Sequence, residues 1–217
     1  MAHLKRLNAP RSWPVKRKAH SWVTSPVPGA HSAKEGIPLR SLIRDVLGHA
    51  RTAKEVTHIL KTRKILVNGR VITDSRFSVG AMDVLDLGEE GRSIVMFTSK
   101  GKLYLEPYSK DYRLCRVEGK TLLKGGKIQL NLWGGSNLLV QKDEYSTGDS
   151  LKLELKDGKL SGKIELKTGG MVYVLSGNSV GKTGKIKNID EKTKEVVLED
   201  GKDEFKTQVS RLYPVEK

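Results

Sequence analysis

Cysteine is almost missing from this 217-residue chain, with Cys115 the sole example. One thiol cannot close an internal disulfide, which excludes the disulfide frameworks of small secreted domains and leads us to expect a reducing, cytoplasmic setting. The five histidines are scattered without paired spacing, so no zinc site is expected. Nothing near Cys115 nominates a base to activate it as a nucleophile. No run of apolar residues approaches the 18 or so that a membrane-spanning helix needs. The basic N-terminus is not followed by an apolar core, so no secretory signal is expected either. Acidic residues are also in short supply. Lys and Arg number 40 against 25 Asp and Glu, a formal charge of +15. Such a surplus implies an anionic partner, nucleic acid before anionic membrane.

The surplus is uneven. Residues 1–36 hold seven basic residues against one acid, and residues 171–217 hold nine against eight. The N-terminal segment also contains prolines 10, 14, 26 and 28, which block any long helix or central strand. Its cations Lys5, Arg6, Arg11, Lys16, Arg17 and Lys18 alternate with Trp13, Trp22, His20 and His31. Cations bind phosphates, and planar side chains stack on unpaired bases. A plain disordered tail would have the same low apolar content, but two tryptophans are unusual in one. We expect an arm that is unstructured alone and ordered on RNA.

Residues 37–87 show the clearest periodicity. Leu39, Leu42, Ile43, Val46 and Leu47 fall on one helical stripe, with Pro38 suited to the first turn and Gly48 to the end. A second helix begins at Thr52-Ala53-Lys54-Glu55, the pattern of a capping box, and buries Ala53, Val56, Ile59 and Leu60. Asn68-Gly69 between the apolar runs Ile65-Leu66-Val67 and Val71-Ile72 is a strong hairpin signal, because a type I′ turn needs positive φ at both central residues. A turn and a closing strand are expected over 79–87.

Beyond residue 91 the pattern is strand-like. Ile128, Leu130 and Leu132 alternate with polar residues, as do Leu151, Leu153 and Leu155, and Gly-Gly or Asp-Gly turns recur at short spacing. This predicts an antiparallel barrel or strongly curved sheet. The carboxylates Asp143, Glu144 and Asp149 read as a surface turn and not as a catalytic pair. Residues 171–217 predict a separate small barrel. Gly181-Lys182-Thr183 has the look of a phosphate-binding loop, but only three residues separate Gly177 from Gly181, and the P-loop needs four. The alternating Lys185-Ile186-Lys187-Asn188-Ile189 also predicts a strand where that loop requires a helix.

Thr52, Lys54, Leu60, Lys61, the run Leu66-Val67-Asn68-Gly69 and Gly80-x-x-Asp83 resemble the S-four RNA-binding domain. The resemblance implies that Arg51, Thr52, Lys54, Lys61, Arg63 and Lys64 lie near phosphates. The 171–189 segment resembles a KOW motif, which implies RNA contact by Lys182, Thr183 and Lys185. His3-Leu4-Lys5-Arg6-Leu7, Ala9-Pro10, Trp13, Pro28-Gly29-x-His31 and Ile37-Pro38-Leu39 look like the archaeal and eukaryotic small-subunit ribosomal protein family S-four-e, and the short length favours an archaeal version.

That family implies an α+β, mostly β chain in four parts: a basic arm at 1–36, an S-four domain at 37–90, a central β domain at 91–170 and a KOW barrel at 171–217. It implies a non-enzymatic constituent of the small ribosomal subunit whose partners are rRNA and neighbouring ribosomal proteins. No cofactor, metal, membrane or small-molecule substrate is expected. The alternatives are an RNA-modifying enzyme carrying an S-four domain, and a translation or transcription factor using the KOW segment.

Overall fold

The computed structural model describes residues 3–62, 65–88, 91–190, 193–201 and 203–216. The chain is mostly β and divides into two compact units, residues 1–97 with 102–111, and residues 98–101 with 112–217.

In the first unit, β1 (Leu4–Lys5) pairs with β2 (Trp22–Val23), matching Lys5 to Trp22. Strand β3 (Gly36–Pro38) leads into α1 (Leu39–Ser41), which passes directly into a π-helical turn, Leu42–Leu47. The expected single α-helix therefore widens after one turn. The Gly48 amide donates to the Ile43 carbonyl five residues back, and Gly48, at φ 75°, ends the element in the left-handed region, where a glycine is unstrained. Leu39, Leu42 and Ile43 are buried as the stripe predicts. Helix α2 (Ala53–Lys61) carries the full capping box. Thr52 Oγ1 accepts from the Glu55 amide while the Glu55 carboxylate accepts from the Thr52 amide, and Val56 and Leu60 face inward.

The hairpin forms as expected. Strands β4 (Leu66–Val67) and β5 (Arg70–Val71) flank Asn68 and Gly69, at φ 54° and 78°. Strand β6 (Ser78–Gly80) pairs with β3. The closing strand β7 (Val84–Asp86) joins β8 (Arg92–Phe97) and β9 (Leu103–Pro107) in a sheet ordered β5-β4-β7-β8-β9.

The N-terminal segment packs onto this unit, whereas its composition suggested an arm that orders only on RNA. Trp13 is 2% exposed, and its Nε1 donates to the carbonyls of Ala33 and Gly36 at 3.0 and 2.7 Å. Ser12 Oγ donates to the Lys34 carbonyl, and the Leu103 amide donates to the Ser12 carbonyl. Proline prevents regular structure here but does not prevent burial. Irregular backbone can pack when its polar groups find partners, as these do.

In the second unit β10 (Tyr112–Leu122) is the longest strand, followed by β11 (Ile128–Leu132), β12 (Ser136–Val140), β13 (Ser150–Glu154) and β14 (Leu160–Ile164). The first half of β10 pairs with β13 and its second half with β11, the change falling at a bulge between Val117 and Gly119. A bulge bends its strand and strengthens local twist. Cys115, Val117, Leu130, Leu132, Leu151 and Leu153 fill the core beneath. The last sheet contains β15 (Met171–Val174), β16 (Thr183–Asp190), β17 (Glu195–Asp200), β18 (Asp203–Gln208) and β19 (Leu212–Pro214), ordered β18-β17-β16-β15-β19 over a core that includes Val174, Ile186, Leu198 and Leu212.

Neither of the two sheets of the second unit closes. Among the described residues the strand order in each runs from one edge to the other without a pairing that joins the ends, so the small barrel expected over 171–217 is an open sheet, and of the barrel or curved sheet expected before it the closed form is not found. Tyr213 bridges them, its hydroxyl donating to the Leu114 carbonyl at 2.6 Å. The turn at 143–149 is also more than a surface turn. Asp149 is buried, and its carboxylate accepts from the amides of Ser146 and Leu166.

Candidate nucleic-acid interface

A buried polar cluster sets the geometry of the first unit. Asp83 accepts from His31 Nε2 at 2.8 Å, from the Gly80 amide at 2.9 Å and from Asn68 Nδ2 at 2.7 Å, while Asn68 Oδ1 accepts from the Val84 amide. Burial works to raise the Asp83 carboxyl, but the charge of His31 and the three donated hydrogen bonds outweigh it and hold the group below its ordinary range. The two glycines beside it are required by close approach. A Cβ on Gly80 would lie 2.4 Å from the His31 ring, and one on Gly36 would lie 2.4 Å from Ser78 Oγ. His31, expected to meet RNA, is therefore an internal strut.

Two other expected contact residues are internal as well. Trp13 has its face covered and its donor used, so it cannot stack on a base. Arg6 is 2% exposed, with Nε donating to the Lys16 carbonyl at 2.6 Å and Nη2 lying 3.2 Å from Asp45. Arg17 is half-buried, donating to the carbonyls of Leu7 and Pro10. Thr52 is exposed, but its hydroxyl is committed to Glu55 as a helix cap. The hydrogen bonds that Glu55 accepts, first from the Arg51 amide and then from Thr52, lower its pKa.

The other expected contact residues of this unit that the structure describes are presented to solvent. Lys5, Arg11, Lys16, Lys18, His20, Trp22, Arg51, Lys54 and Lys61 are all exposed. Arg63 and Lys64 lie outside the described residues. Two adjoining hollows collect part of this set. One, about 300 Å³, is lined by residues that include His3, Trp22, Ser25, Arg40, Arg44 and Arg76. The other, about 410 Å³, is lined by Arg40, Ala53, Lys54, Thr57, His58 and Lys61. Arg40 belongs to both, so aromatic, guanidinium and ammonium groups follow one another along a single face. Sequence reading missed Arg40, Arg44 and Arg76 as contact candidates. Arg40 and Arg44 were visible as the polar side of the first helix, but no sequence signal placed Arg76 beside them.

In the second unit Lys182, Thr183 and Lys185 are exposed at the start of β16. Lys182 Nζ lies 5.2 Å from the Phe205 ring centroid, a cation–π distance that orients the ammonium. Strand β16 begins at Thr183, so no helix N-terminus faces the Gly177–Lys182 loop, as the spacing predicted. Arg211 approaches the same loop. Its Nη1 would lie 2.6 Å from a Cβ on Gly177, a neighbour that nothing in the sequence indicated. The hollow beside Thr183 and Lys185 is also lined by Glu199 and Asp200, so its charge is mixed. Deeper in the unit, burial pulls the Arg116 guanidinium below its ordinary pKa. Arg116 Nη1 donates to the Ser210 carbonyl at 2.7 Å, which ties it to the turn before β19. Among the described residues no helix is long and apolar enough to cross a membrane.

Three family models match the chain: an RS4NT (NUC023) domain over residues 2–34, Ribosomal family S4e over 94–160 and a KOW motif over 168–199. The chain is 38% identical over 198 residues to small ribosomal subunit protein eS4 of Methanocaldococcus jannaschii, covering 87% of this chain and 81% of that one. It is 34% identical to the protein of the same name from Desulfurococcus amylolyticus, covering 98% and 91%. The crystal structure of 30S ribosomal protein S4e from Thermoplasma acidophilum is similar in fold, with a TM-score of 0.71 and 27% identity over 83% of this chain and 95% of that one.

Proposed function

This chain belongs to the S4e family of small-subunit ribosomal proteins, and from that premise we propose that it is a non-catalytic constituent of the cytoplasmic small subunit that binds rRNA and packs against neighbouring ribosomal proteins. The observation that carries the binding mode is the pair of hollows joined at Arg40. A continuous run from Trp22 and Arg44 to Lys54, His58 and Lys61 suits a folded RNA, whose phosphates lie along a surface and whose exposed bases are few. Lys5, Arg11, Lys16, Lys18, His20 and Arg51 add charge around it, and Arg63 and Lys64 continue the sequence beyond α2. Lys182, Thr183 and Lys185 form a second contact, to which Arg211 adds a cation.

The mechanism is charge neutralisation on a rigid frame. Each phosphate contact releases counterions, so affinity falls steeply with salt. The four sequence segments divide this work: 1–36 wraps and braces, 37–90 presents the main face, 91–170 provides a stiff β unit, and 171–217 presents the loop around Lys182. The mostly β content after residue 91 offers, among the described residues, no large α/β domain of the sort an RNA-modifying enzyme would need. Sedimentation of a tagged chain through a sucrose gradient tests the reading. Co-migration with small subunits is expected, and recovery only at the top of the gradient would overturn it.

A further inference from the structure

We propose that the 300 Å³ hollow beside Trp22 is a receptor for one unpaired nucleotide, with the base against the Trp22 indole and its phosphate among Arg40, Arg44 and Arg76. The inference rests on the reading that the chain binds rRNA, and it adds which chemical group enters which cavity.

The contrast between two tryptophans is the starting point. Trp13 is 2% exposed with its Nε1–H satisfied, whereas Trp22 is 54% exposed. A large aromatic left uncovered above a concave basic surface loses apolar burial that a ring from outside would restore. The indole is also held in place. It lies on β2, paired to β1, and the His3 ring packs against it with centroids 5.6 Å apart and planes 60° apart. A fixed ring is a better stacking platform than a mobile one, because less side-chain freedom is lost when a base arrives.

The cations around it are positioned too. Arg40 Nη2 donates to Ser75 Oγ at 2.7 Å and Arg76 Nε to the Ser25 carbonyl at 3.2 Å. Arg44 makes two hydrogen bonds to Asp45, at 3.1 and 3.0 Å. Asp45 is shared with the buried Arg6, so one carboxylate faces two guanidiniums and the lining keeps a positive excess. Arginine forks match phosphate oxygens in pairs.

Size and composition select the ligand. At about 300 Å³ the hollow is at the small end of ligand sites, suited to one nucleotide and too small for a duplex. A duplex would offer phosphates but keep its bases stacked inside. An acidic peptide would use the arginines and leave the indole uncovered. An extruded nucleotide uses both, which is how sequence-specific RNA readers engage loops and bulges.

The test uses the full chain and transcribed small-subunit rRNA, with filter binding of the wild type, Trp22→Ala and Trp22→Phe, and ultraviolet crosslinking with peptide mapping. Trp22→Ala is expected to weaken binding about tenfold while Trp22→Phe stays within about twofold, since stacking on a base tolerates exchange of one aromatic for another. The thermal midpoint of both variants should match the wild type. The crosslink should join the Trp22 peptide to a nucleotide that chemical probing finds unpaired in free rRNA. Wild-type binding by Trp22→Ala, a crosslink to a paired nucleotide, or a crosslink in assembled subunits to a protein would overturn the proposal and leave rRNA binding intact. A chain that fails to bind the rRNA at all would remove both readings.

Discussion

His31 and Asp83 are 52 residues apart in sequence, and their side chains meet at 2.8 Å in the interior of the first unit. The pair joins the N-terminal segment to the residue that also holds Asn68 in the hairpin and the Gly80 amide in the following turn. Asp83 therefore ties together three pieces of chain. Replacing it by Ala removes the acceptor of the buried His31 Nε2 and Gly80 amide and of the half-buried Asn68 Nδ2. Breaking a buried pair from one side costs about 3–5 kcal/mol, and urea unfolding of Asp83→Ala should show a decrease of that order.

The same carboxylate makes a prediction about acid. Its pKa in the folded chain is below the ordinary value of 3.8. A group so depressed contributes stability that is fully present above its unfolded pKa and is lost as pH falls through the folded one. The wild type should lose this contribution below pH 3.8, the ordinary value, and Asp83→Asn, which has no such proton to gain, should show a smaller drop in urea midpoint across that window.

Gly80→Ala should destabilise the chain without touching any charge. The added Cβ would meet the His31 ring at 2.4 Å, and because that ring is pinned by Asp83 it cannot swing away. Overpacking of this kind costs about 1–3 kcal/mol, readable as a lower melting midpoint in calorimetry. Gly29→Ala, where a Cβ meets nothing within 4 Å, is the matched control and should melt with the wild type.

Thr52 separates a helix cap from an RNA-binding group. Thr52→Ala should cost about 1 kcal/mol of stability through removal of the cap, while Thr52→Ser should cost little. Both should bind rRNA alike once folded. A selective fall in affinity in Thr52→Ala with unchanged stability would reassign the hydroxyl to the RNA.

Lys54 and Lys61 should behave in the opposite way. Each is exposed, so the double substitution to Ala should barely alter melting. It should flatten the dependence of log affinity on log salt by about 0.7–0.9 for each phosphate that is no longer neutralised. The Arg63→Ala, Lys64→Ala double variant is the companion measurement for the residues that follow α2.

Local signals carried well from sequence to structure, and long-range ones did not. The capping box at Thr52 and the hairpin at Asn68-Gly69 depend on backbone preferences within four residues, so their chemistry is written locally. Leu39, Leu42 and Ile43 were readable as buried because helical period alone assigns their face. Arg6, Trp13 and His31 were misplaced for a shared reason. Their neighbours are basic and rich in proline, which reads as an exposed arm, while the partners that bury them (Asp45, Gly36 and Asp83) stand far along the chain. The open sheets were hidden by the same limit, since strand alternation predicts a buried face but not whether the edges meet. Arg76 entered the candidate site only through the fold that brings it to Ser25.

The separation between His31 and Asp83 also has a consequence in time. The chain is made from its N-terminus at roughly 5–20 residues per second, and His31 must wait for the 52 residues that lead to its acceptor, an interval of roughly 3–10 s. Throughout it the glycine cradle at Gly36 stands without its β6 partner, and Asp45, the partner of Arg6, is made before Asp83. Maturation of the first unit is thus paced by translation itself: the His31 brace needs Asp83 and the Ser12 carbonyl needs the Leu103 amide, so a nascent chain halted short of residue 83 should remain sensitive to protease across residues 1–36.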